Sequence, residues 1–201
     1  MGLLTASANF VRYNVIGELP PDFWNFAADR LAAHAFRDID DTFDEQSVGW
    51  VAVDNMFDSR FAGTSFAVAD YLVLSLRIDE RKVPPAVLKK FCLKEEDRLK
   101  TERQIPRLSR HQKTEIKENV RLSLIKRSVP LASVYDLCWN LSENTLLFFS
   151  TNQKAQELLE TFFKETFDLR LMLQIPFLTA TKFLSPEEQE RLDALQPEIF
   201  I

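Results

Sequence analysis

The chain has 201 residues, with 25 Lys+Arg against 30 Asp+Glu, two histidines, two cysteines and four glycines. That length suits one domain or two small ones sharing a core, and 46% hydrophobic residues with 27% charged ones describe a folded chain rather than a disordered one. Gly2, Gly17, Gly49 and Gly63 are too scattered for a P-loop or a GxGxxG turn, and the few, distant histidines and cysteines exclude a zinc site of the usual kind, so no cofactor is expected.

The start, Met1 to Ala6, lacks the basic flank of a signal peptide, and no apolar run approaches the roughly 20 residues of a membrane span. With Cys92 and Cys138 as the only thiols, a reduced cytoplasmic protein is expected, without a membrane partner. Ser7–Ile16 alternates as a strand does. Pro20-Pro21-Asp22 then opens a helix over Phe23–Phe36, with Trp24, Ala27, Ala28, Leu31 and Ala35 on one face. Val48–Val53 and Phe66–Ile78 read as strands. Pro84-Pro85 starts a helix through Ala86–Arg103, Pro106 interrupts it, and a second helix runs from about Ser109 to Arg127. Val134–Leu141 and Thr145–Ser150 follow as strands joined by the polar turn Ser142-Glu143-Asn144. Asn152 is placed to cap a helix through Phe167, with Leu158, Leu159, Phe162 and Phe163 on its core face. Leu169–Ile175 and Phe177–Lys182 read as short strands, and Ser185-Pro186 as a helix start. The expected class is α+β: mixed or antiparallel sheets, flanking helices and a protruding basic helical hairpin. Its expected parts are an N-terminal half, 1–83, the hairpin, 84–130, and a C-terminal half, 131–201.

The net charge of −5 is unevenly spread. Arg77 to Arg127 carries 16 basic and 8 acidic residues, a net of +8, and the remainder carries 9 and 22, a net of −13. Lys90, Lys94 and Arg98 recur at intervals of four on the first helix, and Lys113, Lys117 and Arg121 do so on the second. Like charges four apart share a face and repel by a few tenths of a kcal/mol, so the pattern points to a polyanion partner rather than to solubility alone. The bland alternative is a solvated helical arm. Ile116, Val120 and Leu124 form an apolar stripe that docks the second helix on its neighbour. A helix of about 18 residues reaches roughly 27 Å, long enough to follow a nucleic-acid backbone. Lys90, Lys94, Arg98, Arg107, Arg110, Lys113, Lys117 and Arg121 are the candidate phosphate contacts.

Catalytic chemistry finds little foothold. Asp38, Asp40, Asp41, Asp44 and Glu45 begin like an EF-hand loop, but Phe43 stands at the glycine position and Gly49 at the terminal glutamate. Glu115-Ile116-Lys117 has a nuclease-like fragment on a helical rather than a strand period. His34 reads as a packing or capping residue, His111 as a phosphate or solvent contact, and nearly all of the 17 phenylalanines as core. No Gly-x-Ser-x-Gly elbow is present.

At the hairpin the chain resembles a known family. Leu76-Arg77-Ile78-Asp79-Glu80-Arg81-Lys82-Val83-Pro84 is similar to a segment of the recombination-associated RdgC family that reads roughly A-R-x-E-x-K-x-L-P. Arg107-Leu108-Ser109-Arg110-His111-Gln112-Lys113 and Ile116-Lys117-Glu118-Asn119-Val120 resemble its R/K-L-x-x-x-E-K and L-K-[DE]-x-V stretches. Gly49-Trp50-Val51 after the long N-terminal helix, and Ser150–Leu159, resemble two more of its motifs. The likeness spans about residues 5–180, in order.

The resemblance implies a nucleoid-associated, non-catalytic protein of bacterial recombination that binds double-stranded DNA without sequence preference. It implies a homodimer, ring- or clamp-like, that modulates a RecA-type recombinase. An exonuclease label clings to the family. Two alternatives stand beside this expectation: a subunit that binds a recombinase or a second RdgC-like chain, and a metal-dependent exonuclease. The family's L-L-P-R-A-F appears here as Leu124-Ile125-Lys126-Arg127-Ser128-Val129, without the Pro and without the Phe of a dimer contact. The Asp of its W-I-D strand falls at or near Trp139. Typical members also continue beyond the point matching Ile201, so this chain reads as a short member.

Overall fold

The computed structural model describes residues 2–195 apart from Ala62, Thr64 and Lys182. The elements are β1 (Val11–Ile16), α1 (Phe23–Ala33), β2 (Gln46–Val51), β3 (Ala67–Val68), β4 (Tyr71–Glu80), α2 (Pro85–Arg103), α3 (Arg110–Ile125), β5 (Leu131–Asn140), β6 (Thr145–Phe148), α4 (Gln153–Phe167), β7 (Arg170–Leu173), α5 (Pro176–Ala180) and α6 (Pro186–Asp193). The seven strands form an antiparallel sheet in the order β2-β4-β5-β6-β1-β7, with β3 on β4. The class is α+β. None of the described helices is long and apolar enough to cross a membrane.

The chain divides into two compact units that interleave in sequence. One comprises Met1–Ala27, Phe66–Val73 and Asp136–Ile201. In it β1 lies between β6 and β7, pairing Tyr13 with Leu146 on one side and Leu173 on the other. Asn152 caps α4 by accepting from the Ala155 N–H at 3.3 Å, as the sequence predicts. Ala155, Leu159, Phe163 and Phe167 then recur on one buried face, and Asp168 closes the helix in the left-handed region. Their target is Trp139, fully buried, with the rings of Phe23, Phe163 and Phe167 centred 5.1, 5.2 and 5.7 Å away. The edge-to-face angles are those aromatic quadrupoles favour.

The second unit comprises Ala28–Ser65 and Leu74–Tyr135. Its core strand is β4, paired with β2 from Gln46↔Glu80 to Val51↔Ser75. A parallel bridge joins Ala35 to Trp50, with the Phe36 N–H donating to the Trp50 carbonyl and the Trp50 N–H to the His34 carbonyl. Gly49 makes that approach possible. A Cβ there would lie 2.2 Å from the Phe36 Cα and 2.4 Å from its N, where only backbone could give way. Gly49→Ala is therefore expected to cost about 1–3 kcal/mol, checked by urea denaturation. The steric demand supplies a physical reason for the Gly49-Trp50-Val51 motif.

The helix expected over Phe23–Phe36 stops at Ala33, and Ala35 joins the bridge to Trp50 rather than a helix face. Two strand expectations also need correction. Phe66–Ile78 is not one strand. Ala69, in the left-handed region (φ 52°), and Asp70 turn it into a hairpin of β3 on β4, pairing Ala67 with Leu72. An apolar run without glycine gives no warning of such a turn. Phe177–Lys182 is not a strand either. Pro176 at the first helical turn fixes φ and lacks an N–H, so a short helix forms, with the Thr179 N–H bonded to the Ile175 carbonyl. Lys182 itself lies outside the described residues, as do residues 196–201 of the segment 131–201.

Candidate nucleic-acid interface

Each helix of the hairpin is bounded by local chemistry. Pro84 is the N-cap of α2 and Pro85 fills its first turn, where a missing N–H leaves no bond unmade. Gln104 ends it in the left-handed region, at φ 53°. Ser109 opens α3 with a reciprocal cap: its hydroxyl accepts from the Gln112 N–H at 3.2 Å, and the Gln112 side chain accepts from the Ser109 N–H at 2.8 Å. Leu108, Ile116 and Ile125 are buried and Val120 and Leu124 half-buried, so the predicted apolar stripe holds α3 in place. α2 packs on α3 but buries none of its 19 residues completely.

All eight candidate phosphate contacts are exposed. Lys90, Lys94 and Arg98 lie on α2, Arg107 on the connection, and Arg110, Lys113, Lys117 and Arg121 on α3. Three of them already have carboxylate partners. Arg98 donates to Glu95 and to Glu102, which raises its pKa while Arg98 holds the Glu95 carboxyl below its ordinary value. Lys113 lies 3.7 Å from Glu96, and Arg121 lies 2.6 Å from Glu45. Among the described residues Lys90, Lys94, Arg107, Arg110 and Lys117 make no ion pair. Such exposed pairs are worth only about 0–1 kcal/mol, so an incoming phosphate competes readily for the paired cations.

Four of the eight line clefts, two in each of two. Lys94 and Arg98 line a cleft of about 580 Å³ with Phe91, Val120, Leu124 and Arg127. Lys113 and Lys117 line another, of about 410 Å³, with Leu88, Lys89, Cys92 and Glu96. Sequence reasoning missed Lys89 and Arg127 as members of these clusters. Helical spacing held the signal for Arg127, which falls three and seven residues after Leu124 and Val120.

Not all of the basic segment is available. Arg77 is buried, held bidentately by Asp79 at 2.7 and 2.9 Å, and its guanidinium carbon lies 4.1 Å from the Phe36 ring centre. Arg81, also buried, donates to the carbonyls of Ile39, Asp40, Thr42, Asp44 and Ser128. The acidic segment Asp38–Glu45 is thus organised around an arginine. Among the described residues no group of three or more His, Cys, Asp or Glu is placed to hold a metal ion. The half-buried His34 ring nitrogen Nδ1 lies 3.0 Å from the Arg30 carbonyl oxygen.

Burial raises the thiol pKa of both cysteines. Glu96 adds to the effect at Cys92 and Lys117 opposes it. Since the thiolate is the reactive form, alkylation near neutral pH is expected to be slower in the native protein than in urea at both positions. Mass-spectrometric labelling rates check this, and native rates equal to the unfolded ones would contradict it.

An α+β protein presenting two capped helices with exposed cations is the class that fold and site define. A family model described as "Putative exonuclease, RdgC" matches residues 9–183. The chain belongs to the RdgC family, whose character is recombination-related. No curated protein matches it.

Proposed function

We infer that this protein is a non-catalytic, sequence-independent binder of double-stranded DNA, with the α2–α3 hairpin as its contact surface. One observation carries the reading: five exposed cations of the hairpin, Lys90, Lys94, Arg107, Arg110 and Lys117, have no carboxylate partner among the described residues. Exposed Lys and Arg bind phosphates by displacing condensed counterions, which requires no base contact and gives no sequence preference. The acidic remainder of the chain would restrict polyanion binding to this face. In a recombination-related protein, occupancy of duplex DNA would restrain a RecA-type recombinase working on it. The reading includes a homodimer in a nucleoid-associated, cytoplasmic setting, and light-scattering mass in solution tests the dimer.

Binding to labelled duplexes of unrelated sequence is the direct test. Equal affinities within a factor of about two are expected, and a preference of tenfold or more, about 1.4 kcal/mol, would overturn sequence independence. The exonuclease label of the family description is tested in the same tubes by titrating Mg²⁺ and Mn²⁺. Intact DNA is the expected outcome.

A protein-interaction subunit is the second reading, and α2 favours it. Its residues Phe91 and Leu93 stay exposed, and no residue of the helix is fully buried. Capture of a purified recombinase by this chain, with negligible DNA affinity at physiological salt, would decide for that reading.

A further inference from the structure

Three contacts place the acidic segment along the C-terminal part of α3 and the residues that follow it. The Glu45 carboxylate accepts from the Arg121 guanidinium at 2.6 Å. The Lys126 ammonium lies 5.1 Å from the centre of the Phe43 ring. Between them Arg81 joins the Asp44 carbonyl to the Ser128 carbonyl, while its other nitrogen holds Ile39, Asp40 and Thr42. So Phe43 to Glu45 follows Arg121 to Ser128, fastened by a buried arginine. Asp38, Asp40, Asp41, Asp44 and Glu45 supply five carboxylates within this one segment, and all five residues are exposed. An oxygen anion bonded to the guanidinium of an exposed arginine is what a DNA phosphate would also provide.

We propose that the segment 38–45 is a built-in competitor for the polyanion, with Glu45 in the place of a phosphate on Arg121. This rests on the duplex reading above and deepens it. DNA reaching this end of α3 must displace Glu45 and meets the repulsion of the neighbouring carboxylates. Toward the N-terminal end of α3, Arg110 and Lys117 are free of ion pairs among the described residues, and Lys113 meets a single carboxylate at the longer distance of 3.7 Å, so the mask there is weaker. First contact therefore falls at the turn of the hairpin, and engagement of Arg121 follows only when the segment yields. The device keeps affinity moderate and the complex exchangeable.

The test compares wild type, Glu45→Gln, Arg121→Ala and the double variant in duplex binding across a salt series, and in elution from heparin. Glu45→Gln is expected to raise affinity at low salt by up to about fivefold. It should also steepen the log affinity against log salt slope by up to about 0.9, the increment for one further phosphate neutralised. Both gains should vanish in the Arg121→Ala background. Unchanged or weaker binding by Glu45→Gln would overturn the proposal. So would an equal gain without Arg121, since the effect would then be net charge alone. If no variant binds duplex, the DNA reading falls, and heparin still reads the mask. Later elution of Glu45→Gln than wild type, dependent on Arg121, supports it, and identical elution removes it.

Discussion

Replacing Arg81 with alanine is expected to destabilise the protein by about 3–5 kcal/mol, the range for leaving buried partners of a charged group unmatched. Arg81 is 8% exposed and serves five carbonyl oxygens, four of them between Ile39 and Asp44 and one at Ser128. No other side-chain type offers five donors in a fixed fork, so Arg81→Lys should recover only a minor part of the loss. Urea denaturation measures this directly. A loss under about 1 kcal/mol in Arg81→Ala would show that water replaces the guanidinium without penalty. Partial proteolysis adds a local readout, because the segment 38–45 should become the first site of cleavage when its anchor is removed.

The second large effect is expected at Asp79. Its carboxylate is 2% exposed, and both oxygens accept from Arg77. Asp79→Ala leaves a guanidinium confined among the Phe36 ring, the Phe57 ring and the Met56 carbonyl, with one uncharged acceptor left. Breaking a buried pair from one side costs about 3–5 kcal/mol, whereas replacing both members by apolar residues often costs little. The double variant Arg77→Met/Asp79→Leu should therefore unfold at higher urea than Asp79→Ala alone. The reverse order would mean that the pair stabilises the strand by more than its own desolvation.

Elements written in local chemistry were legible in the sequence. Asn152, Ser109 and Ser185 cap helices by side-chain bonds within three residues, and Pro84-Pro85 with Pro106 delimits α2. The hairpin and the helical face of Phe163 follow from such signals. What escaped depends on distant partners. Ala69 takes a backbone conformation that alanine seldom adopts, held in place by the β3–β4 pairing. Arg77 and Arg81 count as two charges of a basic segment, yet both are buried, Arg77 on β4 and Arg81 just past its end among the carbonyls it serves. Glu45 and Arg121 meet across 76 residues, which no periodicity reveals. The charge pattern gave the cations of the candidate surface, but it could not show that Lys94 and Arg98 line one cleft and Lys113 and Lys117 another. Nor could it show that Arg121 carries a carboxylate of its own.

The central claim is that the hairpin follows a nucleic-acid backbone by charge. Its most direct test is duplex affinity across a salt series for wild type beside Lys113→Ala/Lys117→Ala/Arg121→Ala. Log affinity should fall steeply with log salt, and the slope of the triple variant should be shallower by up to about 0.9 for each phosphate it no longer neutralises. Equal slopes and affinities for the two proteins would contradict the assignment of the hairpin, and a wild type that does not bind at low salt would contradict the function.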